Sequence, residues 1–443
     1  MQNSDKREHH NRHDKYEDQK KYNDYYIVFI ICVAFTIIAF CSDSPKELLF
    51  NYIKINTTRC VLITDYVALG GVGAALLNSA ILGFINLYLV KLNKPQPNGK
   101  LMAGLYVTIG FSLFGKNLFN TLPIMAGVWL NSRANKKRFS DQIFRAMLSG
   151  TIAPIVSEVA FQGNTTSVIK IAVSYLIGIF IGFVFPIVIE AVKRMHRGYC
   201  LYNAGIAGGF IATFFVCLYR SLGYAVLPEN YWDTSHTFFL AAIAYSIAGA
   251  MILYAIIREG PLKALRKYVQ LLKECDHNDN DYFFKYRDTC YINIGVMCIV
   301  STSLMLFLKI PINGPVLGGI FTVCGFAAAG KHLLNTIPVF AGSVAAAYFN
   351  HMDVTASLNS LAILFSTGLA PVTGKHGWYS GVAVGFLHVS VAIFIADLNG
   401  GLNLYNSGFA GGFVAITFVP MIVFLKETYH SHKHIFKRKG RSK

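Results

Sequence analysis

The sequence predicts an all-α, polytopic integral membrane protein. It is built from two inverted-topology repeats of about seven membrane segments each, and each repeat carries a re-entrant hairpin. Four observations carry this reading. Of 443 residues, 54% are hydrophobic and 14% are charged, with a mean hydropathy of +0.44. Apolar stretches of helix-spanning length recur along the chain, as expected of helices that satisfy their backbone inside a bilayer. A nine-residue motif occurs twice, as Gly115-Lys116-Asn117-Leu118-Phe119-Asn120-Thr121-Leu122-Pro123 and Gly330-Lys331-His332-Leu333-Leu334-Asn335-Thr336-Ile337-Pro338. Finally, Lys and Arg fall on alternate loops.

Taken in order, residues 1–23 read as a solvated cytoplasmic tail. Apolar segments follow near 24–41, 65–90, 101–115, 117–130, 143–161, 168–192, 200–219 and 236–257. A basic loop, 258–287, divides the chain. Its Leu262, Leu265, Tyr268, Val269 and Leu272 share one helical face, which predicts an interfacial helix. Further apolar segments lie near 288–308, 315–329, 332–349, 357–373, 379–396 and 404–425, and a basic tail covers 426–443. The first repeat is 24–222, the outer linker 223–235, and the second repeat 236–425.

The duplication reaches beyond the opening motif. Asn98-Gly99 matches Asn313-Gly314, also 215 residues on. Leu201-Tyr202-Asn203 recurs as Leu404-Tyr405-Asn406, with Gly178 and Gly182 matching Gly381 and Gly385, all 203 residues apart. Ala153-Pro154 pairs with Ala370-Pro371. With the N-terminus inside and the segments alternating, inner regions hold 32 Lys plus Arg and outer regions 6. That bias follows the positive-inside rule. Seven crossings per half is odd, so the second half is inserted upside down. In transporters, that architecture places the substrate site near the midplane, where the repeats meet. Segments 101–115 and 117–130 are too short to span singly, so they read as the two limbs of a hairpin with Gly115 at its tip.

Lys116 and Lys331 are the only two of the 40 Lys and Arg inside apolar pairs. An intramembrane charge is a functional hypothesis by default. With Asn117, Asn120, Thr121, His332, Asn335 and Thr336, they are expected to form a cradle for an anion or a polar solute, both lysines reaching one central cavity. The bland alternative is that each lysine caps local carbonyls or pairs with a buried acid. Asn203 and Asn406, in glycine-rich apolar surroundings, either hydrogen-bond a broken helix or line the site. Glu158 and Lys375 occupy matching places with opposite charge. They read as a salt bridge across the two-fold, a gate or a proton relay, or else as interfacial groups in water. No catalytic residue, metal site or cofactor is indicated: there is no HExxH, GxSxG, zinc-ligand or nucleotide motif.

Asp43-Ser44-Pro45-Lys46-Glu47, Ile63-Thr64-Asp65-Tyr66 and Gly70-Gly71-Val72-Gly73-Ala74-Ala75 resemble a bacterial family of multi-pass membrane proteins, domain of unknown function 1576. Gly115-Lys116-Asn117, Ala153-Pro154-Ile155-Val156-Ser157-Glu158 and Leu201-Tyr202-Asn203 extend the resemblance over nearly the whole chain. It implies a bacterial cytoplasmic membrane and lends no reaction.

The expected function is a secondary transporter or channel for a small polar or anionic solute. A membrane-embedded enzyme and a non-transporting scaffold are the alternatives. The expected partners are the lipid bilayer and the solute. Nucleic acid is not among them, since the formal charge of +17 lies in loops and tails. A homo-oligomer is compatible with the sequence and not required by it.

Overall fold

The computed structural model describes residues 25–163, 166–227, 229–275 and 281–439. The expected tail 1–23 and the last residues of the basic tail lie outside them. Among the described residues the chain is helical, apart from isolated bridges Thr64–Tyr231 and Asp65–Phe114.

In the first half, α1 (Tyr26–Ser42) turns by 116° into α2 (Pro45–Thr57). Ser44 starts α2 with a capping box closed by Glu47, which satisfies two otherwise orphan N–H groups. Then come α3 (Tyr66–Asn93), α4 (Gly99–Phe111), α5 (Leu118–Ala134), α6 (Ile143–Ser149), α7 (Pro154–Phe161), α8 (Val168–His196) and α9 (Asn203–Ser221). The second half holds α10 (Thr237–Glu259), α11 (Pro261–Leu271), α12 (Tyr282–Tyr286), α13 (Cys290–Phe307), α14 (Gly314–Ala327) and α15 (Leu333–Phe349). It ends with α16 (Ser357–Phe365), α17 (Ala370–His376), α18 (Trp378–Leu398) and α19 (Asn406–Lys439). The last helix thus runs past residue 425 into the region read as a tail.

Each of the fourteen apolar segments coincides with one helix or with two helices meeting at a 3-10 turn. By length and composition, seven described helices can cross a membrane, or nine if the bent pairs α1–α2 and α6–α7 each count as one span. α4, α14 and α15 are apolar but shorter. The core is apolar, and so is much of the exterior. Phe180, Phe214, Ile257, Phe307, Phe394 and Phe424 face outward, while Asn78, Lys116, Asn293 and Lys331 are buried. Such an exterior belongs against lipid tails. On α11, Leu262 and Leu265 are exposed, as a helix lying at the membrane surface requires.

Both copies of the nine-residue motif break a helix. Gly115 and Gly330 take positive φ values of 63° and 122°, a conformation that a Cβ resists. Asn78 Nδ2 donates to the carbonyls of Ser112 and Lys116, at 2.7 and 3.0 Å. Asn293 does the same for Ala327 and Lys331, at 2.9 and 2.7 Å. These amides replace the helical bonds that the breaks remove.

Contacts between the halves come in reciprocal pairs. A Cβ on Gly110 would lie 2.6 Å from the Gly318 carbonyl oxygen, and one on Gly325 would lie 3.0 Å from Ala103 Cα. Gly110 corresponds to Gly325, and Ala103 to Gly318. The Gly99 N–H donates to Asp281 Oδ1 at 2.8 Å, and the Gly314 N–H to Asp65 Oδ1 at 3.2 Å. Leu201 N–H donates to the Gly368 carbonyl at 2.9 Å, and Leu404 N–H to the Thr151 carbonyl at 2.8 Å. Each half therefore lends its Leu-Tyr pair to the other.

Candidate functional site

Lys116 is 1% exposed and Lys331 is fully buried. Each lies just after its tip glycine. Lys116 Nζ donates to the Met147 carbonyl at 3.2 Å and to Thr108 Oγ1 at 3.4 Å. Lys331 Nζ donates to the Tyr202 hydroxyl and, at 2.8 Å, to Thr367 Oγ1. It also stands 4.3 Å from the Tyr202 ring centroid and 5.5 Å from that of Phe326, within cation–π range. Each ammonium thus sits in its own nest of neutral oxygens, and the Lys331 nest is built from both halves.

Among the described residues, Lys116 and Lys331 share no hydrogen-bond partner. Aromatic rings from both halves pack beside the Lys331 nest. Tyr202 and Tyr405 pack at 4.6 Å, Phe111 and Tyr405 at 5.1 Å, and Phe365 and Tyr405 at 5.3 Å.

The polar residues around each lysine build the helix break. Asn117 caps α5, accepting from the Asn120 N–H at 3.0 Å while donating to the Ile55 carbonyl at 2.9 Å. Asn120 Nδ2 donates to the Gly115 carbonyl at 3.0 Å and Ser157 Oγ at 2.9 Å, and Thr121 Oγ1 donates to Asn120 Oδ1 at 3.3 Å. In the second half, His332 Nδ1 accepts from the Asn335 N–H at 3.4 Å, and Asn335 Nδ2 donates to the Gly330 carbonyl at 3.0 Å. Thr336 Oγ1 donates to Asn335 Oδ1 at 3.1 Å. The spacing Asn-x-x-Asn is a reciprocal cap. Asn406 is internal to its half, accepting from Asn399 Nδ2 at 2.7 Å and donating to the Ala392 carbonyl at 3.3 Å. Asn203 pairs with His196 and lines a cavity described below.

Glu158 and Lys375 do not form the expected salt bridge across the two-fold. Glu158 is fully buried, and its partner is Arg59, with Nη1 to Oε2 at 3.1 Å. Lys375 is exposed on α17, beside Gly374, whose Cβ position faces Cys275. Residues 59 and 275 hold matching places, so Glu158 and Lys375 are equivalent positions and not facing ones. Arg59 also reaches Glu229 Oε1 at 3.0 Å and the Leu227 carbonyl at 2.6 Å. This clamps the 223–235 linker to α7.

A cavity of about 1260 Å³ opens where the α3–α4, α5–α6 and α8–α9 connections converge. Seven basic side chains line it, among them Arg138, Arg145, Arg194 and Arg197, against two acidic ones, Asp141 and Glu190. Neither lysine lines it, but Gly330, Leu201 and Phe326 in its wall adjoin the Lys331 nest. At its edge, Asp281 holds the N-terminus of α4, and burial pushes the Asp281 carboxyl above the usual range against the pull of its backbone donors. Sequence reasoning counted these loop cations only as topology signals. Their concentration in three loops was the available clue.

The matching place in the second half is occupied. Asn313, the counterpart of Asn98, donates to the Asp233 carbonyl at 3.1 Å. Gly400, the counterpart of Arg197, lies against Val226, and the Leu62 N–H donates to the Gly401 carbonyl at 2.7 Å. The linker between α9 and α10 fills this side.

Fold and site together define an all-helical bundle of the multi-pass membrane class, with buried lysines at two broken helices. The chain belongs to the family described as proteins of unknown function (DUF1576), whose model matches residues 44–221 and 261–424. No curated protein and no solved structure matched the chain.

Proposed function

We propose that the protein is a secondary transporter or channel for a small polar or anionic solute, built from two inverted repeats. The observation that carries this reading is an asymmetry between equivalent places. One half presents an open basic cavity at the Lys331 break, and the other half has its counterpart filled by the linker that Arg59 clamps. Two matched mouths, one open and one shut, are what alternating access needs. The reciprocal contacts support a two-fold relation between the halves, because a two-fold axis makes every inter-half contact occur twice with partners exchanged, and the basic loop 131–145 against its counterpart 349–357, which has no Lys or Arg, supports its inversion. The ends of the first broken element support a re-entrant hairpin. Lys100 before the first break and Arg138 after it line the same cavity, so both limbs return to one face. The positive-inside bias makes that face cytoplasmic.

In this reading the nests hold the ammonium groups until an anion offers a stronger partner, and Lys331 lies nearest the open mouth. The test is flux into proteoliposomes of the purified full chain. Uptake of labelled anions is expected under a pH or sodium gradient, and Lys331→Met should abolish it while the protein elutes and melts like wild type. Absence of flux across a panel of organic and inorganic anions and neutral solutes would leave the enzyme or scaffold reading in its place.

A further inference from the structure

We infer that the basic cavity is a binding site for an organic phosphate, an ester joining a phosphate group to an apolar body. Three observations select this class. The wall carries a surplus of five positive charges, seven basic against two acidic side chains. Four of the seven are arginines, whose planar forks suit phosphate oxygens. Arg145 is already paired with Glu190 and Arg138 with Asp141. Lys193, Arg194 and Arg197 at the end of α8 are exposed at the rim.

The second observation is the depth profile. The charged groups lie at the rim, whereas Leu101, Leu148, Ile189 and Phe326 deeper in the wall are buried and apolar. A wholly polar anion such as inorganic phosphate or citrate leaves that inner wall unused. A ligand with an anionic head and an apolar body covers both zones. Third, the volume exceeds what a bare phosphate fills and suits a ligand of organic-molecule size. A phosphate monoester carries between one and two negative charges near neutral pH, more than a single carboxylate can offer the surplus.

The inference extends the transport reading, since the cavity is that pathway's open mouth, but binding can be measured without flux. Two sources share the chemistry: a soluble phosphate ester and the headgroup region of an anionic phospholipid. Isothermal titration of the detergent-solubilised full chain would use phenyl phosphate, inorganic phosphate, benzoate and dihexanoyl phosphatidic acid.

Phenyl phosphate is expected to bind at least tenfold more tightly than inorganic phosphate or benzoate, and to weaken steeply with salt. Arg194→Gln with Arg197→Gln, both at exposed positions, should lower its affinity at least tenfold. Phe144 also lines the cavity and is half-buried, and Phe144→Ala should erase the advantage of phenyl phosphate over inorganic phosphate while sparing inorganic phosphate itself. Displacement of phenyl phosphate by dihexanoyl phosphatidic acid with tenfold higher affinity assigns the site to lipid, and the reverse ranking to a soluble ester. Equal affinity for benzoate and phenyl phosphate, or no binding by wild type, overturns the inference. Binding with no accompanying flux upholds the site and counts against transport.

Discussion

Tyr202 and Tyr405 stand with ring centroids 4.6 Å apart, each reaching into the half of the molecule that did not supply it. The Tyr202 hydroxyl accepts from Lys331. The Tyr405 N–H donates to Thr151 Oγ1 at 3.1 Å. One aromatic contact therefore joins the two broken helices, and most of the expected behaviour follows from that crossing.

The Lys331 nest should respond to loss of its hydroxyl. Tyr202→Phe keeps the ring and its cation–π contact but removes one acceptor from a buried ammonium, an unsatisfied donor worth about 1–3 kcal/mol. Thermal unfolding in detergent should show that loss. Lys331→Met should partly restore the stability of Tyr202→Phe, because the orphan charge goes with it. Independent, additive effects of the two changes would contradict the contact.

The Arg59 clamp should be a stability element and a gate at once. Arg59→Gln leaves Glu158 buried without its cation, at a cost of about 3–5 kcal/mol. Glu229 is 30% exposed in its side chain, so Glu229→Gln should cost no more than about 1 kcal/mol. In a background without exposed cysteines, Val226→Cys should react with a membrane-impermeant thiol reagent at least tenfold faster once Arg59→Gln is added. An unchanged rate would mean that the linker is held by something else.

Close packing between the halves predicts a sharp contrast among glycines. Gly110→Ala should destabilise by about 1–3 kcal/mol through overpacking against the Gly318 backbone. Gly249→Ala, where nothing lies within 4 Å of the new methyl, should be neutral or slightly stabilising. Melting curves of the two variants decide it.

Topology can be checked directly. Arg138→Cys and Lys263→Cys should label from the same face of sealed vesicles, and Asp353→Cys from the other. Labelling of Arg138→Cys and Asp353→Cys from one face would remove the inversion.

Much of this was readable before the fold was known, for reasons that can be named. Lipid solvation imposes hydropathy on every crossing, so the apolar segments and helices coincide. Gly115 and Gly330, each followed by a lysine inside an apolar run, mark the breaks, since few other reasons place those residues there. The capping box of Asn117 and Asn120 was not foreseen, because a capping box and a ligand cradle use the same donors and acceptors. The swap of Tyr202 and Tyr405 was illegible: an offset of 203 or 215 residues shows that segments repeat, not which copy each packs against. Arg59 was passed over as one more loop cation, because burial of a charge is a tertiary property.

The paired carboxylate contacts, Asp281 on Gly99 and Asp65 on Gly314, also order events during synthesis. Asp65 leaves the ribosome nearly 250 residues before Gly314. Gly99 likewise waits for Asp281. Until then, the α4–α5 pair stands with its α4 start uncapped by that carboxylate and its lysine break facing an absent neighbour. The nascent first half must therefore persist as an unfinished intermediate, shielded by lipid or by the insertion machinery. A chain cut short near residue 260 would have the greasy helices it needs to insert and lack the partners it needs to close.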